Sequence, residues 1–131
     1  AGNGEMLHIL HHASSADGHK WRRGGQAVPH ELGKAQAFSR PTVVRNASGG
    51  WEMWFSYRGA PETKYRIGFA SSEDGKKWTL SLGDAGIDVS SQGWDSEMIE
   101  YPFVFDHKGQ RYMLYNGNGY GKTGFGLAVF G

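Results

Sequence analysis

The segment Gly93 to Pro102, GWDSEMIEYP, places three carboxyl side chains, Asp95, Glu97 and Glu100, within six residues. A carboxyl group can give or take a proton during bond cleavage when its surroundings hold its proton affinity near the working pH. Glu100 stands directly before Tyr101-Pro102, where an extended apolar run begins. A rigid element would therefore hold it in place. Asp95 and Glu97 lie on the approach to it and could tune its proton affinity. The alternatives are a turn cap for Asp95 and a solvated Glu97.

Other side chains suit binding. Asn116, Asn118 and Tyr120 form a polar, glycine-flanked loop. Amides and an aromatic face together suit a sugar, through hydroxyl hydrogen bonds and stacking. A tight hairpin with asparagines at positive φ is the competing reading. The GNGYG spacing looks superficially like a nucleotide loop, but no helix or parallel strand follows, which excludes it. Arg40 could clamp a carboxylate or a sugar hydroxyl through its planar fork, or sit in an ion pair. Arg58 and Arg66 are expected to face the same side of adjacent strands, where they suit an anionic glycan. Packing on aromatics, or pairing with Glu52 or Glu62, competes with that role. His8, His11 and His12, with His19 and His30, could hold a metal through imidazole. Without a matching carboxylate or cysteine pattern, ordinary polar or interface histidines are the expected reading, and no metal or cofactor is expected.

The elements that position these groups follow from a repeat. His11 to Trp21 reads HHASSADGHKW and Gly68 to Trp78 reads GFASSEDGKKW, with seven of eleven positions identical at a spacing of 57. A shorter echo, Gly126-Leu127-Ala128, lies 58 residues further on. A second pair interleaves with the first: RPTVV (40–44) precedes WEMWFSYRG, and YPFVF (101–105) precedes RYMLYNGNG. Within a unit, Trp51, Met53, Phe55 and Tyr57 alternate with Glu52, Trp54, Ser56 and Arg58, the period of a strand. Asp17-Gly18 and Asp74-Gly75 read as tight hairpin turns. No stretch carries a helical period of useful length.

One unit therefore reads as four antiparallel strands, and such a unit recurring every 50–60 residues is the pattern of a β-propeller blade. The expectation is an all-β partial propeller of about two four-stranded blades: a half blade at 6–26, a full blade at 40–81 and an incomplete blade at 101–130. The alternative is a nine-stranded β-sandwich. A blade buries its faces only against neighbours, so completion by oligomerisation is expected.

Composition narrows the function classes. The chain has 131 residues, 21 glycines, only four prolines, no cysteine and a formal net charge of +1. The length suits one domain and is short for a two-domain enzyme. Abundant glycine with few prolines suggests turns, and seven phenylalanines, six tyrosines and five tryptophans supply a core. A near-neutral charge argues against a nucleic-acid partner. No apolar run approaches a membrane span and no secretory signal opens the chain, so no membrane partner is expected and no compartment is assigned.

Several blocks resemble a known superfamily. They are Ala35-Gln36-Ala37 with Arg40-Pro41, Met53 to Arg58, Tyr65 to Ala70, and Asp74-Gly75 with Trp78. The most specific are Gly93 to Pro102 and Tyr112 to Gly121. Together they are similar to the C-terminal part of the five-bladed β-propeller glycoside hydrolases, which include families 32 and 43. The resemblance is closest to an uncharacterised branch of glycosidase-like propellers, and it covers nearly the whole chain. It implies a carbohydrate partner and a central channel into which inner strands present acidic residues. Such enzymes need one carboxylic acid to protonate the leaving oxygen and a second carboxylate as base or nucleophile. The resemblance implies Glu100 as the acid, while Asp95 is a catalytic candidate from its place on the same entering loop. The nucleophile would come from an N-terminal blade outside this chain, since no motif marks Glu31. With about two blades where five are expected, the chain is either a fragment or part of a homo-oligomer, a dimer or trimer closing the ring. The alternative function is a non-catalytic glycan-binding or scaffold module.

Overall fold

Aromatic and β-branched runs form nine strands in a computed structural model, which describes residues 2–131. The strands are β1 (His11–Ser14), β2 (Arg22–Gln26), β3 (Ser39–Arg45), β4 (Trp51–Tyr57), β5 (Arg66–Ser72), β6 (Thr79–Leu80), β7 (Glu100–His107), β8 (Gln110–Asn116) and β9 (Phe125–Val129). They make antiparallel sheets of two, four and three strands, in the orders β1-β2, β3-β4-β5-β6 and β7-β8-β9. The chain is all-β apart from a 3-10 turn at Leu82–Ala85 and a helical turn at Asn118–Gly121. No helix among the described residues is long and apolar enough to cross a membrane.

The four-stranded sheet is packed on both faces. On one side Met53, Phe55, Ala70 and Trp78 meet Ala27, Val28, Ala35 and Phe38. On the other, Trp54 and Ile67 meet Val104 and Met113 of the three-stranded sheet and Ile99, which directly precedes it. Met53, Trp54, Phe55 and Ser56 of β4 are all buried, because the segment 27–38 covers one face of the sheet and the three-stranded sheet lies against the other. The indole of Trp54 sits edge-on to Phe69 and Phe130, at 4.9 and 5.3 Å, and donates to the Ala85 carbonyl at 3.0 Å.

The outer face of the three-stranded sheet is different. Register places Phe103, Leu114 and Leu127 in one cross-strand row and Phe105, Tyr112 and Val129 in the next. Phe103, Phe125, Leu127 and Val129 are largely exposed there. An exposed apolar surface of this kind is unusual on an isolated domain.

The repeated loops are not two-residue hairpin turns. Residues 15–21 and 73–78 join their strands, and an aspartate organises each loop. Asp17 Oδ1 accepts from the backbone N–H groups of His19 and Lys20, both at 2.8 Å, and Asp74 Oδ1 accepts from Lys76 and Lys77 at 2.8 and 2.9 Å. The hydroxyls of Ser15 and Ser72 donate to those aspartates and accept from Gly18 and Gly75, while Trp21 and Trp78 donate indole N–H to the same glycines' carbonyls. These bonds hold Asp74 down to about 2 and lower Asp17 in the same sense. The seven identities of the repeat are thus largely the parts of one side-chain-built loop.

Candidate functional site

Strands β3 and β7 begin with the same irregularity. Ser39 pairs with Ser56 and Thr42 with Trp54, so one extra residue is held on β3. Glu100 pairs with Asn116 and Phe103 with Leu114, giving the same bulge on β7. The second residue of each strand lies in the left-handed region: Arg40 at φ 47° and Tyr101 at φ 54°. A proline follows in both cases, Pro41 and Pro102. Proline disfavours the right-handed helical conformation for the residue before it and is tolerated in strands at bulges. Left-handed conformations at non-glycine residues cost on the order of 1 kcal/mol or more and gather at functional sites.

Both bulges leave a buried polar group without a partner. Glu100 is 0 % exposed and neither carboxyl oxygen accepts or donates a hydrogen bond. Ser39 Oγ, at the equivalent position of β3, is likewise buried and unpaired. Burial disfavours the charged form and lifts Glu100 from its ordinary 4.5 to about 7, with the Arg40 guanidinium pulling the other way. The result is a carboxyl group that holds or yields its proton near neutrality, as acid–base chemistry requires.

Arg40 stands beside it, and a chain of three tyrosine rings leads from there to Arg58. Arg40 lies over the Tyr101 ring at 4.3 Å from its centroid. Tyr101 and Tyr65 each stand against Tyr120, with centroids 6.4 and 6.1 Å apart. Arg58 lies over Tyr65 at 5.7 Å. Burial pushes the Tyr65 and Tyr101 phenols up, and the Glu100 charge acts on both in the same direction. The Tyr101 N–H donates to Ser56 Oγ at 2.7 Å, which fixes the second bulge against the four-stranded sheet. Tyr120 is exposed and Tyr65 buried, so the rings run from the surface inward. Flat ring faces, two cations and a proton-holding carboxyl thus share one corner of the fold.

The structure brings together Glu100, Arg40, Arg58 and Tyr120 and takes other candidates elsewhere. Asp95 is buried and accepts from the Tyr115 hydroxyl at 3.0 Å, and burial together with that bond pushes Tyr115 up to about 12. Burial and Arg40 account for the Glu100 shift, with no contribution from Asp95. Glu97 is exposed and pairs with Lys64, and Glu31 pairs with Lys34 on the surface at 3.0 Å.

Arg58 and Arg66 do not face the same side. Tyr57 pairs with Arg66 across the strands, so Arg58, one residue on, points to the opposite face with Tyr65. Arg66 instead donates to the Tyr65 and Glu97 carbonyls at 3.0 and 2.9 Å and pairs with Asp88 at 3.2 Å. Asn118 clasps the approach loop: its Oδ1 accepts from Glu97 and Met98 N–H at 2.8 and 3.1 Å, and its Nδ2 donates to the Gly93 carbonyl at 3.1 Å. Asn116 stands across the strands from Glu100 and donates weakly to the Tyr120 carbonyl at 3.4 Å. Positive φ in this loop belongs to Gly119, Tyr120 and Gly121 rather than to the asparagines. The histidines form no group that could hold a metal among the described residues.

Two side chains escaped sequence reasoning. Tyr65 is the ring that links Arg58 to Tyr120, yet nothing in the sequence distinguishes it from an ordinary packing aromatic. Tyr101 carried a signal, because a residue before a strand proline at both repeat positions marks a bulge.

Comparison with known proteins places the fold. No family model matches the chain. Two uncharacterised proteins from two strains of Mycobacterium tuberculosis are 53% identical over 129 residues, covering 98% of this chain and 42% of theirs. The chain thus spans about two-fifths of the length of the curated relatives it matches. Zg3597, a family 117 glycoside hydrolase produced by the marine bacterium Zobellia galactanivorans, superposes with a TM-score of 0.78 at 22% identity, covering 93% of this chain and 38% of that one. The chain therefore has the fold of part of a glycoside hydrolase.

Proposed function

We propose that the chain forms part of a carbohydrate-active, glycoside-hydrolase-like β-propeller, with a glycan site at the Glu100 corner. The observation that carries this reading is the fully buried carboxyl of Glu100, unpartnered and raised to about 7, behind Tyr65, Tyr101 and Tyr120. Sugar rings stack on tyrosine faces, and a carboxyl still protonated near neutrality can donate to a glycosidic oxygen as the bond breaks. Arg40, resting on Tyr101, would meet hydroxyls or negative charge at the mouth of the site. The second carboxylate that hydrolysis demands comes from outside this corner, because Asp95 is bound to Tyr115 and Glu97 to Lys64. It would be supplied by another sheet of a closed ring. The exposed apolar face of Phe103, Leu127 and Val129 supports such a closure, with further copies of the chain as the occupants.

A non-catalytic glycan-binding module is the second reading, favoured by the same separation of carboxylates. Replacement of Glu100 by Gln tests both. The first reading predicts that oligosaccharide cleavage disappears while sugar-induced changes in tyrosine fluorescence remain. Binding without cleavage by the unaltered chain supports the module, and binding unaffected by loss of the three tyrosine rings contradicts both.

A further inference from the structure

We infer that Arg58 is a carboxylate-binding position and that the glycan taken by this site is an acidic one, carrying a uronic acid. This rests on the sugar-site reading above. Arg58 stands directly after β4 with its guanidinium over Tyr65, a ring of the cluster that packs against Tyr120. Its main chain is pinned there, because the carbonyl accepts from Gln36 and Ala37 N–H at 3.0 and 3.3 Å. The side chain already holds a carboxylate: Nη2 donates to Glu5 Oε2 at 2.7 Å, with both side chains mostly buried. Yet Nε, on the edge that with Nη2 could grip both oxygens of a carboxylate, is buried and has no acceptor. A planar guanidinium binds carboxylate most strongly through two parallel N–H bonds. Glu5 therefore leaves part of the available fork unused.

The other half-buried arginines behave differently. Arg66 is engaged by the Tyr65 and Glu97 carbonyls and by Asp88. Arg111 is engaged by Asp106, Glu52 and the Arg45 carbonyl. Both of them join segments of the fold. Arg58 instead joins the wall of the ring cluster to a short leading segment, which Asn3 and Met6 attach to Gln36. Charge points the same way. With Glu100 protonated and Glu5 displaced, Arg40 and Arg58 leave two positive charges facing the tyrosines, a balance that a neutral sugar would leave unmet. Glu5 then acts as the resident stand-in for the sugar carboxylate, holding the guanidinium ready while no ligand is bound.

The test is a binding titration with methyl β-glucuronide and methyl β-glucoside, followed by NMR on the unaltered chain, Glu5→Gln and Arg58→Lys. The expected result is a preference of about tenfold for the glucuronide in the unaltered chain. Glu5→Gln should strengthen glucuronide binding several-fold and leave the glucoside unchanged, because it removes the internal competitor. Arg58→Lys should erase the preference, since an ammonium cannot offer the fork. Should Arg58→Lys fail to fold, Glu5→Gln still decides the matter. Equal binding of the two sugars, or a preference unmoved by Glu5→Gln, overturns the inference while leaving a sugar site intact. Failure of both sugars to bind overturns it together with the sugar-site reading.

Discussion

Burial of Glu100 ties the stability of the fold to pH in a direction opposite to that of most carboxylates. In the native chain its carboxyl is raised from 4.5 to about 7, because charging it would bury an anion without hydrogen-bond partners. Between those two values the folded chain keeps a proton that the unfolded chain has released. Unfolding free energy therefore falls as pH rises across that window and levels off above about 7. The difference between the two values is worth about 3 kcal/mol in all, a large part of the stability of a typical domain. Asp17, Asp74 and Asp106 have lowered values and act in the reverse sense. Their contribution is complete above the ordinary 3.8 and is lost below it, outside the Glu100 window. Glu100→Gln has no proton to lose there. Urea unfolding followed by tryptophan fluorescence, at a series of pH values from 5 to 8, should show a decline of about 2–3 kcal/mol in the unaltered chain and a much flatter line in the variant. An equal decline in both would refute the reasoning, since the slope would then belong to other groups.

Three further outcomes follow from packing. Trp21 and Trp78 hold the same repeat position, but one is 62% exposed and the other 7%, so Trp78→Ala should cost about 3–5 kcal/mol and Trp21→Ala little in the same assay. A methyl group added at Gly126 would come within 2.6 Å of the Trp94 ring, so Gly126→Ala should destabilise by about 1–3 kcal/mol and change the near-ultraviolet signal of the Trp94–Tyr115 stack. Leu127→Lys should lower the sedimenting mass to that of one chain, if copies of the chain cover the outer face of β7-β8-β9. An unaltered mass would contradict that assembly.

The fold was legible because its signals are local and repeated. Alternation along Trp51 to Tyr57, and the return of Ser, Asp, Gly and Trp after 57 residues, fixed an all-β chain of recurring antiparallel strands. The double burial of β4 followed only from the blade reading, since the alternation of Glu52, Trp54, Ser56 and Arg58 does not by itself show which elements cover Trp54. The same limit applies to the site. Glu100 stood out through its place before Tyr101-Pro102, but the groups around its corner come from β3, the β4–β5 connection and the β8–β9 connection, and sequence spacing does not measure those distances. Asp95 and Asn118 looked available because their residue types suit chemistry. In the fold, Tyr115 engages the first, and the second holds the Glu97–Met98 backbone. Arg58 and Arg66 were separated by the pleat itself: one residue of register sends them to opposite faces.

The central claim is that Glu100 is the proton-holding group of a sugar site, and its side-chain carboxyl carbon reports on that claim directly. Carbon-13 NMR of the glutamate-labelled chain, with Glu100→Gln assigning the resonance, should give a titration midpoint near 7. That midpoint should move when an oligosaccharide is added. A midpoint at the ordinary glutamate value, unchanged by any sugar, would contradict the account.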